Sequence, residues 1–176
     1  SISCPLSDGW YNVMNTQGDS IDWRTDANGT GSGGTGPSAD HTSGLGNYLY
    51  LEGSGNNGAG CQHKLAILHS PCIDLTNAIQ PELYFWYHAN GGGIGSLHVD
   101  VISDGILYEN VLPFIDGPQG NQWDSLWLDL SPFVGGFVSL VFRGYTGGGY
   151  QSDLAIDDIH IVDNFITAVD ATASSL

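Results

Sequence analysis

Helical periodicity is almost absent from this chain; in its place, short runs of aromatic and β-branched residues recur between clusters of Gly, Asn, Asp and Pro. The runs fall at residues 9–14, 47–52, 63–70, 82–89, 95–102, 106–112, 126–130, 137–144 and 153–162. Alternation is plainest where Leu97, Val99 and Val101 interleave with His98, Asp100 and Ile102, a period of two that turns one set toward a core. Strands at this spacing with no helices between them predict an all-β fold, an antiparallel sandwich or barrel. Phe85, Leu97, Val99, Leu128, Leu140, Phe142 and Ile159 are its expected core. Gly91-Gly92-Gly93 marks a hairpin or crossover turn. Residues 26–46, rich in Gly, Ser and Thr, read as a long surface loop of the kind that carries function.

The length of 176 residues fits one domain with its own core. The expected division is a single domain over 1–163 and a tail or linker over 164–176. Nineteen acidic against three basic residues give a formal charge of -16, yet only 12% of residues are charged and 41% are hydrophobic, so the chain is folded and acidic. Too few Lys and Arg are present to release counterions from a phosphate backbone, so nucleic acid is not an expected partner. Anionic membrane surfaces are disfavoured on the same ground, and no apolar stretch approaches the length of a spanning helix, so no membrane insertion is expected. The acids are mostly Asp, a short carboxylate suited to turns and hard-cation sites.

Within residues 152–162 (SDLAIDDIHIV) the adjacent acids Asp157 and Asp158 interrupt an apolar run. Leu154 and Ile156 lie on one parity and Ala155, Ile159 and Ile161 on the other, which predicts a strand covered on both faces. A carboxylate buried there costs several kcal/mol, of the order of the effective penalty per ion, unless a cation or a set of donors meets it. The only cationic side chains are Arg24, Lys64 and Arg143. A bound metal ion is one answer; pairing with Arg143 or capping of backbone amides is the other.

An ordered series of motifs runs from about residue 8 to residue 163. It comprises Asp22-Trp23, Gly36-Pro37-Ser38 with Asp40-His41-Thr42, Gly46, Tyr48 and Tyr50, and Leu68-His69-Ser70-Pro71. It continues with residues 83–88 (LYFWYH), Gly95-Ser96-Leu97, Gln119-Gly120, Trp123 and Leu128-Asp129-Leu130, and closes with Phe142-Arg143-Gly144 and residues 153–159 (DLAIDDI). In this order the motifs resemble the MAM domain, the extracellular module named after meprin, the A5 antigen and receptor protein tyrosine phosphatase mu. The variety with residues 36–42 as GPSADHT and 70–72 as SPC looks most like modules attached to secreted bacterial enzymes. The resemblance implies a two-sheet jelly-roll β-sandwich, located outside the cell or at its surface. It implies no catalysis, a role in protein binding, self-association or adhesion, and a calcium or sodium ion near the end of the sandwich. The chain departs from the family in lacking both its N-terminal Phe-Glu pair, for which Asp8 is the substitute, and its four-cysteine pattern.

The expected ion ligands are therefore Asp157, Asp158, Asp40, Asp8 and Glu52. Asp26-Ala27-Asn28-Gly29 starts like a calcium loop, but no Glu follows at the required distance, and a plain turn is the expected reading. Jelly rolls also serve as carbohydrate-binding modules, and Trp86 and Trp123 are candidates for a sugar-stacking platform against the alternative of core packing. His88, ending an aromatic strand, reads as a hydrogen-bonded core residue. No G-x-S-x-G elbow and no recognisable pair of catalytic carboxylates is present. Three cysteines allow at most one internal disulfide; Cys61 to Cys72 requires the chain to fold back, and Cys4 to Cys72 is the preferred pair.

Overall fold

The computed structural model describes residues 9–55 and 60–164. Asp8, Cys4 and the tail from residue 165 lie outside the described residues. Two antiparallel sheets face one another. The first has β1 (Tyr11–Asn12), β4 (Leu65–His69), β11 (Phe137–Thr146), β7 (Ile94–Ser103) and β8 (Ile106–Tyr108) in that order, with β5 (Ile73–Asp74) also on β11 and β9 (Ile115–Asp116) also on β7. The second has the order β10 (Trp123–Asp129), β6 (Pro81–His88), β12 (Leu154–Asp163), β3 (Tyr48–Leu51) and β2 (Arg24–Asp26). All-β sandwich architecture is thus as expected, and each apolar run of the sequence contains a strand. The short strands β2, β5 and β9 were not legible in the sequence; at two or three residues they have no period of their own and exist by pairing with longer neighbours.

The core lies between the sheets. Phe85 and Phe142, both fully buried, meet edge to face at 5.3 Å from opposite sheets, the arrangement their ring quadrupoles favour. Leu97, Val99, Leu128 and Leu140 are buried with them, and Ile159 packs against the cluster from its edge. Trp23, also buried, reaches across to β11, where Gly144 stands opposite: a Cβ at 144 would run into the Trp23 ring and Leu51. Glycine there is a packing requirement between the sheets. The chain crosses from β6 to β7 through Gly91-Gly92-Gly93, with Gly91 at positive φ as a crossover turn demands.

Strand β12 corrects one expectation. Its first residues are covered on both faces: Leu154 and Ile156 in the core, Ala155 in an outer cluster with Tyr48, Tyr50 and Trp123. Beyond them the change of parity has another cause. Asp157 pairs with Trp86 and His160 with Tyr84, so three steps on β12 match two on β6, a β-bulge with Asp158 in the left-handed region at φ 48°. The extra residue returns Ile159 and Ile161 to the same core that holds Leu154 and Ile156. It also sets two consecutive carboxylates on the outer face.

Candidate functional site

The outer face of the β10-β6-β12-β3-β2 sheet is covered at one end by the loop between β2 and β3. Tyr48 donates its hydroxyl to the Asn28 carbonyl, and Trp123 donates Nε1–H to the Ala39 carbonyl at 3.3 Å. His41 stacks on Trp86 with ring centroids 3.7 Å apart and planes 17° from parallel. The two tryptophans named as a sugar platform are thus brought together beneath the loop.

The loop meets the bulge through its acids. The His41 backbone N–H donates to Asp157 Oδ2 at 2.8 Å, and the Asp158 N–H to Asp157 Oδ1 at 2.8 Å. Asp158 Oδ2 lies 2.7 Å from His41 Nδ1 and accepts the Thr42 hydroxyl. Burial raises the Asp157 pKa against the pull of its two N–H donors. For Asp158 burial acts the same way but is outweighed by Thr42 and His41, and its pKa falls. Asp40 braces the loop itself, accepting from the Ser43 N–H and hydroxyl and from the Gly46 N–H, all at 2.9 Å, and its pKa is lowered chiefly by the Ser43 N–H. These are the amide and hydroxyl partners of the capping alternative. Arg143 is elsewhere: on the other sheet it grips the fully buried Asp100 through Nε at 2.6 Å and Nη2 at 3.0 Å, so it is not the partner of the bulge.

One carboxylate remains without its full set of partners. Asp153, immediately before β12 and 0% exposed, accepts the Gly53 N–H on Oδ1 at 2.8 Å, while its own N–H donates to Thr35 Oγ1 at 2.9 Å. Its Oδ2 has no hydrogen-bond partner among the described residues. The nearby Thr30 hydroxyl is committed to the Thr35 carbonyl at 3.1 Å. Burial is the main cause that pushes Asp153 up to about 6; Thr30 and Gly53 oppose it, and the neighbouring carboxylate of Glu52 adds to it. Glu52 is held by the Ser54 N–H at 2.9 Å and hydroxyl at 2.6 Å, both on Oε1. The structure therefore places Glu52 beside Asp153, a residue the sequence reading passed over, and away from the bulge. Among the described residues no three His, Cys, Asp or Glu side chains gather as a metal cage. Cys61 and Cys72 are not bridged to each other.

Away from the loop the same face is open. Trp127, Tyr84 and His160 stand in one row across β10, β6 and β12, with Trp127 56% exposed and the Tyr84 and His160 rings stacked at 5.5 Å. Tyr84 donates its hydroxyl to Glu82 at 2.6 Å, where Asn164 also donates. The signal was present in the sequence, since Trp127 shares the strand parity of Trp123 and Tyr84 that of Trp86, but only the register between strands aligns them. No helix of the described residues is long and apolar enough to cross a membrane.

Comparison with known proteins places this arrangement among relatives. The chain is 32% identical over 145 residues to Neuropilin-1a of Danio rerio, covering 81% of this chain and 15% of that protein. It is 32% identical over 158 residues to the MAM domain-containing glycosylphosphatidylinositol anchor protein 2 of Mus musculus, covering 82% of this chain and 16% of that one. The chain thus spans a small part of the curated relatives it matches. Among solved structures, the K1 cleaved adhesin domain of Lys-gingipain from Porphyromonas gingivalis W83 superposes with a TM-score of 0.55 at 20% identity, over 91% of this chain and 94% of that one. TmCBM61 in complex with β-1,4-galactotriose gives 0.55 at 11% identity, over 88% of each chain. A cyclase from Fischerella sp. TAU gives 0.52 at 13%, over 90% of this chain and 86% of that one. These three share the fold, and a fold common to an adhesin domain, a sugar-bound module and an enzyme leaves function to the site. A family model described as MAM domain, meprin/A5/mu, matches residues 6–164, and the chain belongs to that family.

Proposed function

We propose that this chain is an extracellular, noncatalytic binding module that docks a protein partner, a second copy of itself included, through the outer face of the β10-β6-β12 strands. A calcium or sodium ion holds its loops in shape. The observation that carries the reading is the open row of Trp127, Tyr84 and His160 across three neighbouring strands, beside an end closed by the loop. Exposed aromatics of this kind supply contact area at small entropic cost and dominate interface energetics. Family membership supports the protein-binding role, and the anchor in the name of the mouse relative supports a place at the cell surface.

The reading without catalysis has its own argument. Ser96 Oγ, His98 Nε2 and His98 Nδ1, Asn110 Oδ1 form a relay at 2.9 and 2.7 Å, the order of a nucleophilic site. Ser96, however, sits within a strand, next to a bulge at Gly95, paired with Tyr145 on one edge and Asp116 on the other, without the sharp strand-to-helix turn that exposes a nucleophile beside free N–H donors. No turnover of an activated ester above the solvent rate is expected.

The test is aggregation of beads coupled to the protein, with Trp127→Ala and Tyr84→Ala as variants. Clustering that either substitution abolishes is the expected result. A second reading follows from the same row, whose neighbours Glu82 and Asn164 offer polar groups to hydroxyls: binding of a neutral polysaccharide. Retention on β-1,4-galactan that depends on Trp127, with no bead clustering, would favour it. If neither assay responds to Trp127, the face is not the binding surface.

A further inference from the structure

We propose that the cleft between the sheets at the far end of β12 docks a basic, partly apolar segment of a partner protein, seating a Lys or Arg side chain with its charged head at Asp74 and Asp163. The site lies at the opposite end of β12 from Asp153, and none of Trp127, Tyr84 and His160 lines it. It is a second surface, independent of the outer-face row.

The cleft lies where the two sheets part. Ile73 on β5 belongs to one sheet and Ile161 on β12 to the other, and both line it. Residues 75–80 carry the chain across from β5 to β6 and form one wall. That wall is fixed by backbone bonds: the Leu75 N–H donates to the Gly136 carbonyl at 2.9 Å, the Gly135 N–H to the Leu75 carbonyl at 3.0 Å, and the Ala78 N–H to the Leu75 carbonyl at 3.2 Å. The space left is about 410 Å³, within the range of roughly 300–1,000 Å³ in which proteins hold ligands. Its floor is hydrocarbon: Leu75 is a core member, and Ile73, Ala78 and Ile161 pack against the core.

The rim carries charge of one sign. Asp74 accepts the Thr76 N–H at 2.9 Å, and Asp163 accepts the Ile79 and Gln80 N–H groups at 3.1 and 2.7 Å, so the turn holds both exposed carboxylates in place. The Thr76 hydroxyl, with its N–H, lowers the Asp74 pKa. A carboxylate has about four acceptor positions, so room remains on each. These donors are neutral, and none of the three cationic side chains of the chain lines the cleft: Arg143 grips Asp100, Arg24 is on β2, and Lys64 adjoins β4. A Lys or Arg side chain, apolar along its stem and charged at its head, matches a hydrocarbon floor under an acidic rim. Ile79, 59% exposed beside the cleft, offers an apolar contact that a peptide can use and a free polyamine cannot. The net charge of -16 steers a basic partner toward this surface and opposes a second copy.

The experiment follows the fluorescence anisotropy of a labelled peptide of alternating Lys and Leu added to the full chain at about 0.15 M salt. Asp163→Asn keeps an acceptor for the turn and removes the charge, and Ala78→Leu fills the floor at constant charge; each is expected to weaken binding about tenfold. Asp116→Asn removes one charge from β9, outside the cleft, and should change binding less than about twofold. Trp127→Ala should leave it unchanged, so this site and the outer-face reading fail separately. Should Ala78→Leu not fold, Asp74→Asn with Asp163→Asn decides. Equal losses in Asp116→Asn and Asp163→Asn, or indifference to Ala78→Leu, overturn the proposal in favour of diffuse attraction to an acidic surface. Spermine displacing the label as readily as unlabelled peptide overturns it in favour of a free polyamine. Absence of saturable binding to the wild type overturns it as well. A dimer that Ala78→Leu abolishes would then make a second copy the occupant, and binding that appears only in Phe165→Ala would make it the C-terminal residues of the chain.

Discussion

His88 is held neutral by its place in the structure. Its imidazole is buried against the Trp123 ring at 5.4 Å, its Nδ1 has no hydrogen-bond partner within normal geometry among the described residues, and burial is the main cause that lowers its pKa. Asn121 and the Asp124 carboxylate face it and act in the opposite direction without reversing the shift. Because the folded pKa lies below the unfolded value of about 6.5, the unfolded chain binds the proton first. Stability is therefore full above that value and is lost as pH falls through it toward the folded pKa. His69, also lowered by burial, contributes with the same sign. Urea midpoints measured from pH 7.5 down to pH 5 should fall for the wild type and fall less for His88→Gln. An equal slope in the two proteins would mean that His88 carries no part of the dependence.

At the scale of elements, the β12 bulge and the β2–β3 loop work as a pair. The bulge turns Asp157 and Asp158 outward, and residues 41 and 42 answer them with one N–H, one imidazole and one hydroxyl. Removing the ring should free Trp86 as much as it weakens the attachment. For His41→Ala we expect acrylamide quenching of tryptophan fluorescence to rise, with a stability loss of about 1 kcal/mol from a partly exposed charged hydrogen bond. Unchanged quenching would show that the loop stays over Trp86 without the stack. The backbone bond from His41 to Asp157 persists in this variant, so the loop is loosened and not released.

For the whole molecule, the charge of -16 makes self-repulsion a cost of compactness. Surface charges more than a Debye length apart, about 8 Å at physiological ionic strength, are screened by added salt. Choline chloride supplies that screening through a bulky cation that carboxylate oxygens do not chelate. Raising it from about 0.02 to 0.3 M should increase the melting temperature, and the gain should be the same in Asp153→Asn as in wild type. A gain confined to calcium or sodium salts would instead point to a specific ion as the main electrostatic stabiliser.

Period-two alternation is a local property, so the long strands, the two-sheet class and core members such as Phe85, Val99 and Phe142 are legible in the residues themselves. So is the family, whose motifs are spread in order along the chain. The strands β2, β5 and β9 are not, because their pairing energy comes from neighbours distant in sequence. Nor is the bulge: an inserted residue looks the same as a strand covered on both faces until the register with Trp86 and Tyr84 is known. The candidate sites depend on tertiary structure most of all. Asp157 and Asp158 stand out in an apolar run, but whether a carboxylate has donors is decided by a loop more than 110 residues away, as the His41 to Asp157 bond shows. Asp153 is unremarkable as a residue and becomes costly only where folding buries it beside Glu52, because solvation is a property of the assembled surroundings and not of the chain.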